Sequence, residues 1–279
     1  MPTRPIALAL STHPGPAAAV TVIATALGIG IGLEPWRVVL LALAVLFNQA
    51  SVGLSNDWID AARDTAVGRS DKPVARGWIS AVAVQRAAFV CAALAVLLMV
   101  PLGVAATVAH VVFIASAWAY NLGLKSTLFS VLPYIVSFGI LPAIVTLALP
   151  LPQPRGAAGW AIALGALLGV AAHFANVLPD LDDDRATGVA GLGHRLGGRA
   201  TGLVTCLALA AASVVAFAGP SGGVTVLQWI GLVLTLLIAL AGALLVVTRP
   251  PGRLLFQLII AAALVNVVVL AFAGPRLLA

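Results

Sequence analysis

Acidic residues are scarce in this chain: nine Asp and Glu among 279 positions, against fifteen Lys and Arg. Charged residues of both signs make up only 9%, hydrophobic ones 62%, and the mean hydropathy is +1.12. That leaves far too little polar surface to clothe a water-soluble body of this length. Cysteine is almost missing. Cys91 and Cys206 both fall within apolar runs and show no ligand spacing, which excludes a disulfide framework or a thiolate metal centre and marks them as buried apolar side chains.

What is there instead is a series of apolar runs near or above the length that crosses roughly 30 Å of hydrocarbon, with Gly and Pro scattered inside them. Nine spans are expected, over 16–33, 37–55, 80–100, 102–120, 128–149, 157–178, 200–218, 224–247 and 254–274. The chain therefore reads as an all-α integral membrane protein, a single transmembrane domain over 1–279, in contact with lipid along its whole length. Further spans, rather than a hydrophilic body, follow the first apolar run, so it is not read as a cleaved export signal and Met1 is taken as native.

The net charge of +6 is a property of alternate loops rather than a nucleic-acid footprint. With the N-terminus inside, one side receives Arg4, Arg63, Arg69, Lys72, Arg76, Arg86, Lys125, Arg185, Arg195, Arg199, Arg249 and Arg253. The other side receives Arg37, Arg155 and Arg276. This division predicts a cytoplasmic N-terminus, and cytoplasmic loops after the second, fourth, sixth and eighth spans.

Apart from Glu34, all the acids sit in two groups on that side, directly after the second and sixth spans. The first group has Asn56, Asp60 and Asp64, the second Asn176, Asp180 and Asp184: the same N-x-x-x-D-x-x-x-D order, 120 residues apart. Four-residue spacing stacks side chains on one helix face, so each triplet forms a strip of oxygens in which neighbouring carboxylates repel. A cation is expected between them. Oxygen donors without Cys, and with no His inside either strip, select Mg²⁺ over zinc or copper, and Mg²⁺ completes its octahedron with water and phosphate oxygens. A diphosphate is the expected ligand. Pro179 is expected to end or kink the sixth helix just before Asp180. The plain alternative for either cluster is a solvated loop.

At this point the chain resembles the UbiA superfamily of membrane-embedded prenyltransferases. "NDWIDAARD" fits its first signature, N-D-x-x-D-x-x-x-D, and "DKPVARG" is similar to its R-P-x-x-x-G continuation, with Lys72 where Arg is common. "DLDDDRATG" fits the second signature, and "HRLG" resembles the segment leading into the seventh helix of quinone-pathway members. The resemblance implies nine helices around a central cavity, capped by the acidic loops. It also implies a Mg²⁺-dependent transfer of a prenyl group from a prenyl diphosphate to an aromatic or other lipophilic acceptor.

Asn56, Asp60, Asp64, Asp180 and Asp184 are then the candidate metal ligands, the four acids also being catalytic. Arg69, Lys72 and Arg185 are candidate diphosphate contacts, with Asn56 and Asn176 beside them. Arg63 and Arg76 serve either the diphosphate or the lipid surface. "YNLGLKST" resembles the family's tyrosine-plus-lysine loop, which makes Tyr120 and Lys125 candidate catalytic residues; the alternative is an interfacial aromatic and a positive-inside lysine. Asn48, two turns deeper than Asn56, either lines the cavity or bonds a neighbouring helix. Asp57 points away from the strip and supports it from behind or pairs with an Arg. His110 and His173 are expected to be packing histidines.

Two rival readings remain at this stage: a UbiA-type terpene cyclase acting on a prenyl diphosphate without an acceptor, and a cation transporter. The clustering of acids at helix ends opposes transport, which needs polar groups near the bilayer midplane. The spans are generic Val, Leu, Ala and Phe, a composition that specifies neither acceptor, chain length nor oligomeric state.

Overall fold

The computed structural model describes residues 2–70, 72–150, 155–181, 190–249 and 252–279, with the backbone alone at Asp180 and Arg253. Eleven α-helices account for most of these residues, and the one β-bridge among them joins Ala157 to Leu278. They are α1 Arg4–Ser11, α2 Pro14–Gly30, α3 Pro35–Ile59, α4 Ala61–Ala66, α5 Ala81–Met99, α6 Val104–Leu122, α7 Leu132–Leu147, α8 Gly159–Val177, α9 Leu192–Ala218, α10 Val226–Thr248 and α11 Arg253–Ala271.

Each expected span corresponds to a helix, though not each to a full-length one. Seven described helices are long and apolar enough to cross a bilayer. The first span is a bent pair, α1 and α2 meeting at 60°, and α7 has only 16 residues. Pro133 starts α7 and Pro142 interrupts its donor ladder, so the expected 128–149 shrinks at both ends. The expected 200–218 grows instead: α9 begins at Leu192 and kinks at Gly197, whose φ of 78° only glycine adopts freely. Helix starts follow local chemistry. Ser80 accepts from the Ala83 amide at the start of α5, and Thr225 with Gln228 forms a capping box on α10.

Neighbours in sequence pack side by side, α2 on α3, α6 on α7, α7 on α8, α8 on α9 and α9 on α10, and α11 closes the ring against α2. Large apolar side chains such as Val104, Leu207, Val226 and Leu237 stand outward, where lipid would meet them. Polar side chains within helices largely bond back to their own backbone, as Thr21 does to the Ala17 carbonyl and Thr25 to that of Thr21. Contacts sort the loops into two ends. At one, Arg37 reaches the Ala148 carbonyl and Trp160 the Arg276 carbonyl. At the other, Lys125 meets Asp60 and the Leu192 amide meets Ser130. This is the partition that charge alone predicted.

Candidate functional site

At the second end a cavity of about 430 Å³ opens among α2, α3, α6 and α7. Among the described residues it lies off-centre in the ring: α8 and α9 contribute only Asn176 and His194, and α10 and α11 nothing. Its depth is apolar, with Val20, Phe113, Phe138 and Leu141, whereas its mouth carries Asn56, Asp60, Arg63, Asp64, Arg69, Lys72 and Lys125. Gln49 to Asn56 spans seven residues of α3, so the lined depth is about 10 Å below the polar rim.

The first strip forms as its spacing requires. Although α3 ends at Ile59 and α4 begins at Ala61, the i→i−4 bonds continue through the junction, Asp60 N to Asn56 O at 3.0 Å and Asp64 N to Asp60 O at 2.8 Å. Asn56, Asp60 and Asp64 thus stay on one face. The amide of Asn56 donates to Asp60 Oδ2 at 3.0 Å. Lys125 Nζ lies 2.5 and 2.6 Å from the two Asp60 oxygens, and Arg63 Nη2 lies 3.0 Å from Asp60 and 3.7 Å from Asp64. Side-chain cations gather where repulsion between carboxylates demanded positive charge.

Burial raises the Asp64 carboxyl above its ordinary range; Lys72 and Arg63 oppose the shift and Asp60 adds to it. The Lys125 ammonium is held below the usual lysine range by its own burial, with Asp60 pulling the other way. Both directions describe a rim from which water has largely been removed. Lys72 is tied down more fully still. Its Nζ lies 2.8 Å from Asp57 Oδ1, 2.9 Å from Asn56 Oδ1 and 3.0 Å from His13 Nε2.

Among the expected site residues, Asn56, Asp60, Asp64, Arg69, Lys72, Tyr120, Lys125 and Asn176 all line this one cavity. Asp57 does not: it is buried behind the strip and pairs with Lys72 and His13 rather than with an Arg. Asn48 is also off the cavity. Its side chain is fully buried without a hydrogen-bond partner among the described residues, and the next residue, Gln49, takes the lining position, because the cavity-facing stripe of α3 drifts from a strict four-residue repeat. Arg63 belongs to the rim, while exposed Arg76 stacks on Trp78 at 5.2 Å.

Pro179 ends α8 at Val177 and a 3₁₀ turn carries Leu178–Asp180. Asp71, Asp182, Asp183, Asp184 and Arg185 lie outside the described residues, as does the side chain of Asp180. His173 packs among Tyr120, Tyr134 and Phe174 and lies 3.2 Å from Ser130 Oγ. His110 packs against Phe113 as expected, and neither ring nitrogen has a hydrogen-bond partner among the described residues.

Two residues went unmarked in the sequence. Asn121 donates to Ser55 Oγ at 2.8 Å and to the Val52 carbonyl at 3.0 Å, and its own oxygen faces Asn56, so it sets the angle of the strip. An Asn directly after Tyr120 at a helix end was the available signal. His13 stands at the corner between α1 and α2, ahead of the expected 16–33, where no pattern pointed to it.

Mg²⁺ is the ion the donor chemistry fits. Asp60 and Asp64 supply adjacent carboxylates and Asn56 a neutral oxygen, and no Cys or Met lines the mouth among the described residues, although His13 and His194 stand on the cavity wall. Among the described residues no group of three His, Cys, Asp or Glu gathers, so the first strip offers a sparse site, which Mg²⁺ ordinarily completes with phosphate oxygens.

A family model described as "UbiA prenyltransferase family" matches residues 17–267. No curated protein matches by sequence. Among solved structures, a UbiA homolog from Archaeoglobus fulgidus bound to GPP and Mg²⁺ superposes with a TM-score of 0.74 at 12% identity, covering 97% of this chain and 99% of that one. A UbiA homolog from Aeropyrum pernix K1 gives 0.67 at 17% identity, with 95% and 96% covered. A digeranylgeranylglyceryl phosphate synthase structure gives 0.63 at 15% identity, with 93% of each chain covered.

Proposed function

The chain belongs to the UbiA prenyltransferase family, and from that premise we propose that it moves a prenyl group from a prenyl diphosphate to an aromatic or other lipophilic acceptor in the membrane, with Mg²⁺ as cofactor. The observation that carries this reading is the pairing of an Asp60–Asp64 strip, ringed by Arg63, Arg69, Lys72 and Lys125, with an apolar cavity directly beneath it. An amphiphile with a highly anionic head and a hydrocarbon tail matches both halves. Structures of the Archaeoglobus homolog bound to GPP or DMAPP with Mg²⁺ support the ligand class.

Asp60 and Asp64 would hold the ion, with Asp180 and Asp184 proposed from the opposite loop. When bound, Mg²⁺ neutralises the charge that develops on the leaving diphosphate. Arg69, Lys72 and, beyond the described residues, Arg185 are assigned to the phosphate oxygens as charge-assisted donors. Lys125 holds Asp60 in the structure and would be available to the diphosphate if the ion took its place on that carboxylate. Tyr120, at the junction of mouth and depth, is assigned to positioning the reacting end. The apolar walls exclude water, so that the allylic cation meets the acceptor rather than hydroxide. The acidic end is proposed to face the cytoplasm.

The test is direct. Membranes carrying the protein are incubated with radiolabelled prenyl diphosphates of several lengths, with and without quinone-, chlorophyll- and haem-type acceptors. Acceptor-dependent prenylated products are expected. Cyclic hydrocarbon or alcohol formed from prenyl diphosphate alone would establish the cyclase reading instead, and the absence of any diphosphate-derived product would reject both.

A further inference from the structure

The α1–α2 corner enters the site by a route the signatures do not describe. His13 is the only described residue other than glycine with a positive φ, 53°. A left-handed residue with a side chain costs about 1–2 kcal/mol, so surrounding contacts must hold it there. Part of the reason is Gly53. A Cβ on that residue would stand 2.3 Å from the Thr12 carbonyl oxygen and 2.5 Å from its carbon. The backbone of the corner therefore rests directly on α3, one turn before Asp57, and carries the imidazole to the cavity wall.

There His13 meets a closed set of partners. The three N–H bonds of the Lys72 ammonium are matched by three acceptors, Asp57 Oδ1, Asn56 Oδ1 and His13 Nε2, at 2.8, 2.9 and 3.0 Å. The same Nε2 lies 3.1 Å from Asp57 Oδ1. One ring nitrogen can accept from Lys72 or donate to Asp57, but not both at once. In this arrangement Lys72 satisfies Asp57, whose side chain has no exposure, while the His13 side chain keeps 38% of its own.

We propose that His13 is a positioning residue that releases Lys72 to the diphosphate. This rests on the prenyl diphosphate reading of the site. When the ammonium turns toward phosphate oxygens, it leaves a buried carboxylate, and stripping a buried charge of its partner is strongly unfavourable. His13, in the tautomer with hydrogen on Nε2, donates to Asp57 Oδ1 in its place. No net proton is gained or lost; the imidazole exchanges one N–H position for the other through its solvent-facing side. His13 thus lowers the cost of recruiting Lys72.

The test measures binding of an unreactive prenyl thiodiphosphate with Mg²⁺ to the full-length protein in detergent, by calorimetry, with thermal unfolding of each variant alongside. Loss of a hydrogen bond to a buried charge predicts that His13→Ala raises Kd by about ten- to hundred-fold. His13→Phe, which keeps the bulk and lacks the donor, gives the same loss, so a folding defect in one variant leaves the other to report. His13→Gln places an amide where Nε2 was and is expected to bind within about three-fold of wild type. In a Lys72→Met background, His13→Ala should add nothing, because the two residues act as one unit. An equal loss with and without Lys72, an unaffected Kd in both His13→Ala and His13→Phe, or no rescue by a folded His13→Gln overturns the inference while leaving the function intact. Absence of binding to wild type overturns the function and this inference together.

Discussion

Asp60 takes hydrogen bonds from Lys125 and Asn56 and an ion pair from Arg63, so a single carboxylate joins three elements at the cavity mouth. Replacing it by Ala is predicted to lower Mg²⁺-dependent turnover by more than about 100-fold, beyond what loss of a metal's supporting residue costs, while leaving a membrane-inserted, monodisperse protein; a radiometric assay on purified variants checks this. Asp64 makes a different prediction. Its folded pKa is raised, so its contribution to stability is present below the ordinary carboxylate range and is lost as pH climbs through the raised value. At neutral pH, without metal, Asp64→Asn should therefore unfold at a higher temperature than wild type, and Mg²⁺ should stabilise wild type but not the variant. Scanning calorimetry with and without Mg²⁺ reads both.

Among the helices, the close packing of α7 on α8 fixes the wall that α7 presents to the site. A Cβ at Gly165 would lie 2.3 Å from the Phe138 carbonyl oxygen, and one at Gly169 would lie 2.3 Å from that of Tyr134. This small-xxx-small face lets the two backbones touch and sets Tyr134, Phe138 and Asn176 along the cavity. Gly169→Val is predicted to destabilise the fold by about 1–3 kcal/mol through overpacking and to lower turnover with it, as denaturant unfolding and activity assays would show. Such contacts explain what could be read from sequence and what could not. Apolar run length and charge marked every span, because crossing hydrocarbon constrains composition. The α1 helix, the corner at His13 and the shift from Asn48 to Gln49 depend on how backbones meet, and no local pattern records that. Pro179 was legible because proline acts on its own helix.

For the whole molecule, the division of charge and the contacts at each end agree, which makes orientation testable. A cysteine introduced at Arg76, exposed at the acidic end, should react with an impermeant maleimide only when the cytoplasmic face is open, whereas one at Arg276 should react from the other side. Of the candidate site, the first strip was legible as a repeated spacing, Lys72 through its nearness to that strip, and Lys125 through the resemblance of its loop. Asn121 and His13 were not, since each acts through a partner distant in sequence.

A dication on the Asp60–Asp64 strip is proposed to grip the diphosphate at the cavity mouth. Crystals grown with Mn²⁺ in place of Mg²⁺ and an unreactive prenyl thiodiphosphate would locate both by anomalous scattering. A manganese peak shared between these carboxylates and the phosphate oxygens, with the tail running toward Phe113 and Leu141, is the predicted result. A diphosphate bound away from the strip, or bound there with no metal between, would contradict it.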